Sequence, residues 1–416
     1  MNLPALEKRV VVCVGTGGVG KTTVAAAIAL DAARSGRRAA VVTIDPARRL
    51  ADALGVDALG NRPEALSKER LAALGVPESG SLSALMLDMK STFDDLVTRF
   101  AEDPAARQRV LDNPIYRHVS DALAGSSEYA AMEKVYELAQ SADFDTLVVD
   151  TPPSQHALDF LDAPERMIEF LDSRLVQLFI HPAMAAGRAG FRFFQWGARR
   201  ALALIERVTG VGFLQDLSEF LMAFEHMSEG FRERAREVRA LLLGPESAFV
   251  LVTSPETESV KQAHRFLERL EAKQVPVAGI VANRVRLWPG AAPGAEPEVP
   301  QSSEARPGDL AALASALAEA SGPDYPAERA ARAAVDAAAR YAAVVQRDAR
   351  ALGVFRERSA FLRIVPELAG DVHDLEGLLL VAEALKQDST AKRQDGGSEV
   401  DGDAQRGDKE RESASA

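Results

Sequence analysis

The chain has 416 residues, 47% of them hydrophobic, with a formal charge of −12 and a pI near 5.2. That length suits one α/β nucleotide domain with insertions, or about two average domains. The acidic balance argues against nucleic acid as a partner, which calls for a basic domain or stripe, and a single cysteine, Cys13, permits neither an intrachain disulfide nor a CxxC zinc site.

The opening "MNLPALEKR" lacks the apolar stretch of a signal peptide, and no run reaches the roughly 18 apolar residues of a membrane span. The expectation is a soluble, cytoplasmic protein, or one peripheral at the inner face of a membrane. Next comes "VVVCVGTGGVGKTTVAAAIAL", residues 10–30. Val10 to Val14 read as a buried β-branched strand and Thr22 to Ala33 as a helix, with a glycine turn between them. The turn satisfies GxGxxG and also GxxxxGK[ST]. Under the first pattern the glycines admit a dinucleotide pyrophosphate and no lysine is required. Under the second, Lys21 supplies an ammonium for the β/γ-phosphates and Thr22 a hydroxyl for Mg²⁺. The complete string between strand and helix favours the P-loop.

Further apolar runs that read as strands fall at 39–44, 82–87, 146–149, 248–253, 277–282 and 361–365. Helical patterns separate most of them, so the expected fold is α/β, a doubly wound and mostly parallel sheet. Two strands end in acids. "AAVVTID" closes on Asp45, followed by Pro46, and "DTLVVD" closes on Asp150. A P-loop needs one acid for the metal shell and one to orient the attacking water, both at the carboxyl ends of strands. In a dinucleotide site Asp45 would instead hold the ribose of NAD, which leaves Lys21 and Thr22 without a role; an NAD-dependent oxidoreductase is the remaining alternative at this point.

Residues 90–140 and 158–243 are helical in pattern without strands, and read as a helical subdomain inserted into an ATPase domain spanning 1–386. Within 187–207 a single helix would align Phe191, Phe194, Ala198, Leu202 and Ile205 opposite Arg188, Arg192 and Arg199. Core packing explains such a stripe, as does a groove for a hydrophobic client or membrane face. Residues 288–308, rich in Pro, Gly, Ala and Ser, read as a flexible loop, and an Ala/Arg-rich helical stretch follows at 327–351. Residues 387–416 carry almost no apolar side chain and are expected to be disordered. No internal repeat is evident, so a duplicated two-half ATPase is not expected.

"GTGGVGKTT", "TIDPARRLADALG" and "VVDTPPSQHALDFLDAP" together resemble the P-loop, switch I and switch II of the ArsA/Get-type ATPases. That family includes the motor of the arsenite pump and the targeting ATPase for tail-anchored proteins. The likeness runs through residues 8–285 and resumes near Val365-Pro366. It implies Mg²⁺-dependent hydrolysis of ATP, a nucleotide-gated dimer, and an output either in anion export or tolerance or as a chaperone or targeting factor for hydrophobic membrane-protein clients. It implies a phosphate cradle from Gly15, Thr16, Gly17, Gly18, Val19, Gly20, Lys21, Thr22 and Thr23, with Lys21 on the β/γ oxygens. Thr22 and Asp150 would serve Mg²⁺, and Asp45 would orient the hydrolytic water. Asn283 would read adenine, Pro366 would line the base, and His156 would sense the γ-phosphate.

This chain departs from the family at Thr16, where most members carry a lysine that reaches across a dimer to the partner's phosphates. The cysteines of the metalloid and zinc sites are also missing, which removes soft thiolate ligation within the chain. A homodimer, or a heterodimer with a related ATPase subunit, is expected to supply the missing charge.

Overall fold

The computed structural model of the chain describes residues 7–152 apart from 46, 102, 115 and 117–123; 162, 165, 166 and 169; 229–292, 295 and 297; 307–356 apart from 323 and 324; and 362–386. The expected stripe at 187–207, His156 and the tail 387–416 lie outside the described residues.

Strand β1 (Val10–Gly15) is buried along its whole length because it has a neighbour on each side and layers on both faces. Its alternation divides two cores. Val10, Val12 and Val14 enter one apolar cluster, Val11 and Cys13 the other. The other strands are β2 (Arg38–Thr43), β3 (Glu64–Ala65), β4 (Ser81–Met86), β5 (Thr146–Asp150), β6 (Ser247–Thr253), β7 (Val277–Val285) and β8 (Leu362–Pro366). They form one sheet in the order β3-β4-β2-β5-β1-β6-β7-β8, parallel throughout except where β3 meets β4. The doubly wound α/β expectation is therefore met, and all seven expected strands are present. The extra strand, β3, is a two-residue exposed edge piece and leaves no periodic signal in the sequence.

One core holds helix α1 (Lys21–Arg34), whose run of alanines lets it lie close against the sheet, and the final described helix, Leu375–Lys386, packs beside it. The other core holds the helices Met89–Phe100, Pro104–Asp112 and Ala124–Gln140, together with the helical stretch 229–243. Asp88 caps the first of these by accepting from the N–H groups of Lys90 and Ser91, and Asp103 caps the second through Ala106. Phe93, Val97, Met132 and Phe231 belong to the same cluster as Val12 and Phe249. The described helices between 89 and 140 thus share their core with one face of the sheet.

Two contacts clasp these helices. Phe100 and Phe231 pack at a tilt of 45° with ring centroids 5.0 Å apart. Buried Glu133 accepts from Arg99 at 3.0 Å and Arg234 at 2.9 Å, and burial raises its pKa despite both cations.

The expected loop at 288–308 has no regular structure at its described positions up to 297, but it ends earlier than expected, because a helix begins at Pro307 (Pro307–Ser321). The alanine-rich "DLAALASALAEAS" drives that helix, which the Pro/Gly content just before it obscures. The helix after it, Ala327–Arg356, continues past the expected end at 351 to Arg356.

Candidate functional site

The site forms where β1, β2 and β5 end side by side. Gly15 closes β1, Thr43 closes β2 opposite Asp150, and Asp150 closes β5. Gly15 has to be glycine, since a Cβ there would stand 2.1 Å from the Val252 carbonyl oxygen. Gly17 and Gly18 turn the chain, and Gly20 enters α1 at φ 87°, a left-handed conformation that suits glycine. No side chain caps α1 and its first turn has no acid, so the N–H groups of this 14-residue helix and its positive dipole end are left for an anion.

Lys21 is buried, and its Nζ donates to the Thr16 carbonyl at 2.9 Å. Burial lowers its pKa, against the opposing pull of Asp150 and Asp45. Thr22 Oγ1 donates to Asp150 Oδ2 at 2.7 Å, and Thr43 Oγ1 donates to the same oxygen at 3.0 Å. Asp150 Oδ1 is buried with no hydrogen-bond partner among the described residues. Burial pushes the Asp150 carboxyl up to about 6, because the desolvation of its charge outweighs the two hydroxyls and Lys21. Thr43 was not singled out in the sequence; its place two residues before a strand-end aspartate was the signal available.

Asp45 stands just past β2. Its N–H donates to Thr43 Oγ1 at 3.2 Å, its Oδ1 accepts from the Ala47 N–H at 3.0 Å, and its Oδ2 pairs with Arg49 at 3.1 Å. Lys21, Thr22, Asp45 and Asp150 are thereby gathered at the carboxyl end of the central strands. The Thr16 hydroxyl turns inward, 3% exposed and without a partner among the described residues. Cys13, in the middle of β1, is fully buried, and burial raises its thiol pKa.

Asn283 lies near the end of β7 and reaches back to the loop. Its Nδ2 donates to the Val19 carbonyl at 2.8 Å, and a Cβ on Gly20 would stand 2.2 Å from that nitrogen. Arg284, at φ 59°, donates to the Gly18 carbonyl at 3.3 Å. A cleft of about 430 Å³ opens beside them, lined by Thr23, Asn283, Arg284, Pro366 and the segment Glu367 to Val372. Asn283 and Pro366 therefore line one cleft. Arg284 and Glu367 were missed: both are surface-type residues with no pattern of their own, placed by the ends of two strands.

The donor set suits Mg²⁺. A buried carboxylate oxygen without a partner beside a threonine hydroxyl offers hard oxygen ligands, and Mg²⁺ commonly takes only one or two protein groups beside phosphates and water. Among the described residues no cluster of three His, Cys, Asp or Glu side chains is grouped to hold a metal.

Residues 8–291 match the family described as Anion-transporting ATPase. The chain belongs to this ArsA/Get-type ATPase family. Its relatives are distant. ATPase ARSA1 of Chlamydomonas reinhardtii is 26% identical over 303 residues, covering 67% of this chain and 35% of that protein, so the chain spans about a third of the algal relative. ATPase get3 of Schizosaccharomyces japonicus is 26% identical over 279 residues, covering 66% of this chain and 74% of that protein. ATPase get3 of Schizosaccharomyces pombe is 26% identical over 279 residues, with 66% and 73% covered. Membership in an ATPase family removes the dinucleotide oxidoreductase from consideration. Among the described residues no helix is long and apolar enough to cross a membrane.

Proposed function

We propose that this protein hydrolyses ATP to ADP and phosphate in a Mg²⁺-dependent cycle that reshapes its switch segments and helices. The observation that carries the reading is the gathering of Lys21, Thr22, Asp45 and Asp150 beside the uncapped start of α1. The backbone from Gly15 to Thr23 wraps the phosphates, and Lys21 exchanges the Thr16 carbonyl for the β/γ oxygens. Thr22 and Asp150 hold Mg²⁺, which supplies charge neutralisation on the phosphates when bound. Asp45 holds the attacking water. The base enters the cleft at Asn283 and Pro366.

The cycle energises export or tolerance of small anions through a partner, with the protein working in the cytoplasm as a homodimer or beside a related ATPase subunit. The single buried thiol favours a second output, an ATP-gated chaperone or targeting factor for hydrophobic or membrane-protein clients, because no thiolate is accessible to bind a metalloid. Its charge of −12 leaves nucleic acid out of the scheme.

The test is phosphate release with and without Mg²⁺, followed by capture of partners on Asp45→Asn protein loaded with ATP. Retention of a membrane permease supports the export reading, and retention of hydrophobic segments supports the client reading. Absence of Mg²⁺-dependent phosphate release would sink both.

A further inference from the structure

The transferring phosphate needs positive charge, and Thr16 supplies none: its side chain is uncharged and buried. Among the described residues, cations stand at the start of α1 (Lys21), near the end of β7 (Arg284) and in the segment after β2 (Arg48 and Arg49). Lys21 serves the β/γ oxygens in the reading above. Arg284 is turned to the base side, where it donates to Gly18 and lines the cleft. Arg48 is exposed and makes no ion pair among the described residues. Arg49 differs from all three, because its guanidinium pairs with Asp45 Oδ2 at 3.1 Å while its side chain stays 67% exposed. Its backbone opens a short helix, Arg49–Leu54, pinned by buried Leu50, Ala51 and Leu54. The base of Arg49 is fixed, and its head is solvent-exposed and held by the pair with Asp45 alone among the described residues. Burial is the main cause that lowers the Lys21 pKa, and the Arg49 charge adds to it in the same direction.

From these positions, and resting on the ATPase reading, we infer that Arg49 is a built-in arginine for the γ-phosphate and a latch on Asp45. Asp45 accepts the Ala47 N–H on Oδ1 and the Arg49 guanidinium on Oδ2, so the guanidinium takes one acceptor site of Oδ2 and offsets the charge with which the carboxylate would orient a water. When ATP binds, the doubly charged γ-phosphate draws the guanidinium away, since a planar fork matches two phosphate oxygens better than one carboxylate oxygen. A single movement then delivers charge to the transferring group and releases Oδ2 to orient the water. In the chemical step the water oxygen bonds to the γ-phosphorus and the bond to the β,γ-bridging oxygen breaks. That oxygen leaves with the electron pair on ADP, and the water proton ends on the product phosphate. ADP lacks the γ-phosphate, so Arg49 stays on Asp45 and the site rests.

The test compares the full-length protein with Arg49→Ala and Arg49→Lys, after melting curves show that all three fold alike. Calorimetry with ADP, calorimetry with ADP plus fluoroaluminate, and phosphate release at saturating ATP are the three readouts. Arg49→Ala should bind ADP within about twofold of the parent, lose at least about tenfold in turnover, and lose a similar factor in fluoroaluminate-dependent binding, as expected for an arginine that acts only on the transferring group. Arg49→Lys should fall between, because a lysine brings charge without the fork. Adding Thr16→Lys to Arg49→Ala should recover turnover in proportion to protein concentration, as charge arrives from a second copy. Turnover and fluoroaluminate capture by Arg49→Ala equal to the parent's would overturn the assignment while leaving the ATPase reading standing; a parent that binds no ATP would overturn both.

Discussion

The hydroxyl of Thr22, in the first turn of α1, donates to Asp150 Oδ2 at 2.7 Å across 128 residues of sequence. This one bond ties the phosphate loop to the end of β5, and the same two groups are the proposed holders of Mg²⁺. Thr22→Ala should therefore leave ATP affinity nearly unchanged in chelator and lower it by about tenfold in Mg²⁺, since only the metal-held component is removed. Calorimetry in both buffers checks this. An equal loss in the two would assign Thr22 to phosphate contact alone.

The raised pKa of Asp150 makes a signed prediction about stability. A carboxyl whose folded pKa is about 6, above its unfolded value of 3.8, contributes most below the unfolded value, and the contribution is lost as pH rises through 6. In chelator, Asp150→Asn should thus stabilise the protein at pH 8, by an amount on the order of 1–3 kcal/mol, and have little effect at pH 4. The same variant should lose Mg²⁺-dependent turnover. Melting curves at the two pH values measure the first effect, and destabilisation at pH 8 would contradict the burial argument.

Lys21 and Asp45 should separate cleanly. Lys21→Ala removes a cation from the phosphates and should weaken ATP binding by at least about tenfold, whereas Asp45→Asn should bind ATP within about twofold and lose most turnover. Binding by calorimetry beside phosphate release distinguishes them. Full turnover in Asp45→Asn would remove that residue from the mechanism.

Gly20 and Asn283 make a prediction about the base. Since a Cβ on Gly20 would meet the Asn283 amide at 2.2 Å and the backbone there is left-handed, Gly20→Ala should destabilise by roughly 1–3 kcal/mol and displace Asn283. Asn283→Ala, which removes the amide without strain, should instead narrow the preference for ATP over GTP. Competition between the two nucleotides reads this directly, and an unchanged preference would place base recognition elsewhere in the cleft.

The chain end offers a control on packing. Lys386 pairs with buried Asp31 of α1 at 2.7 Å. Ending the chain after Lys386 should leave the melting temperature and turnover nearly unchanged, because residues 387–416 have almost no apolar surface to bury. Ending it after Leu385 should cost about 1 kcal/mol more, as Asp31 loses its cation. A large drop from the first cut would show that the tail docks.

Much of this architecture is local and therefore readable in the sequence. The valines of β1, the glycine turn, Lys21 and Thr22 form one continuous string whose chemistry follows from spacing, and the strands that end at Asp45 and Asp150 announce themselves by apolar runs closed with an acid. What spacing does not carry is lateral order. β5 lies between β1 and β2, and only that insertion sets Asp150 beside both Thr22 and Thr43, 128 and 107 residues away. Asn283 reaches Val19 across 264 residues for the same kind of reason, and the Arg49 head finds Asp45 because a short helix with no strong sequence signal aims it. Hydrophobic periodicity records which face of an element is buried. Which element it is buried against depends on strand order and long-range packing, so the residue types of the candidate site were legible in the sequence, while their hydrogen bonds, the raised pKa of Asp150 and the Arg49–Asp45 pair came from the tertiary structure.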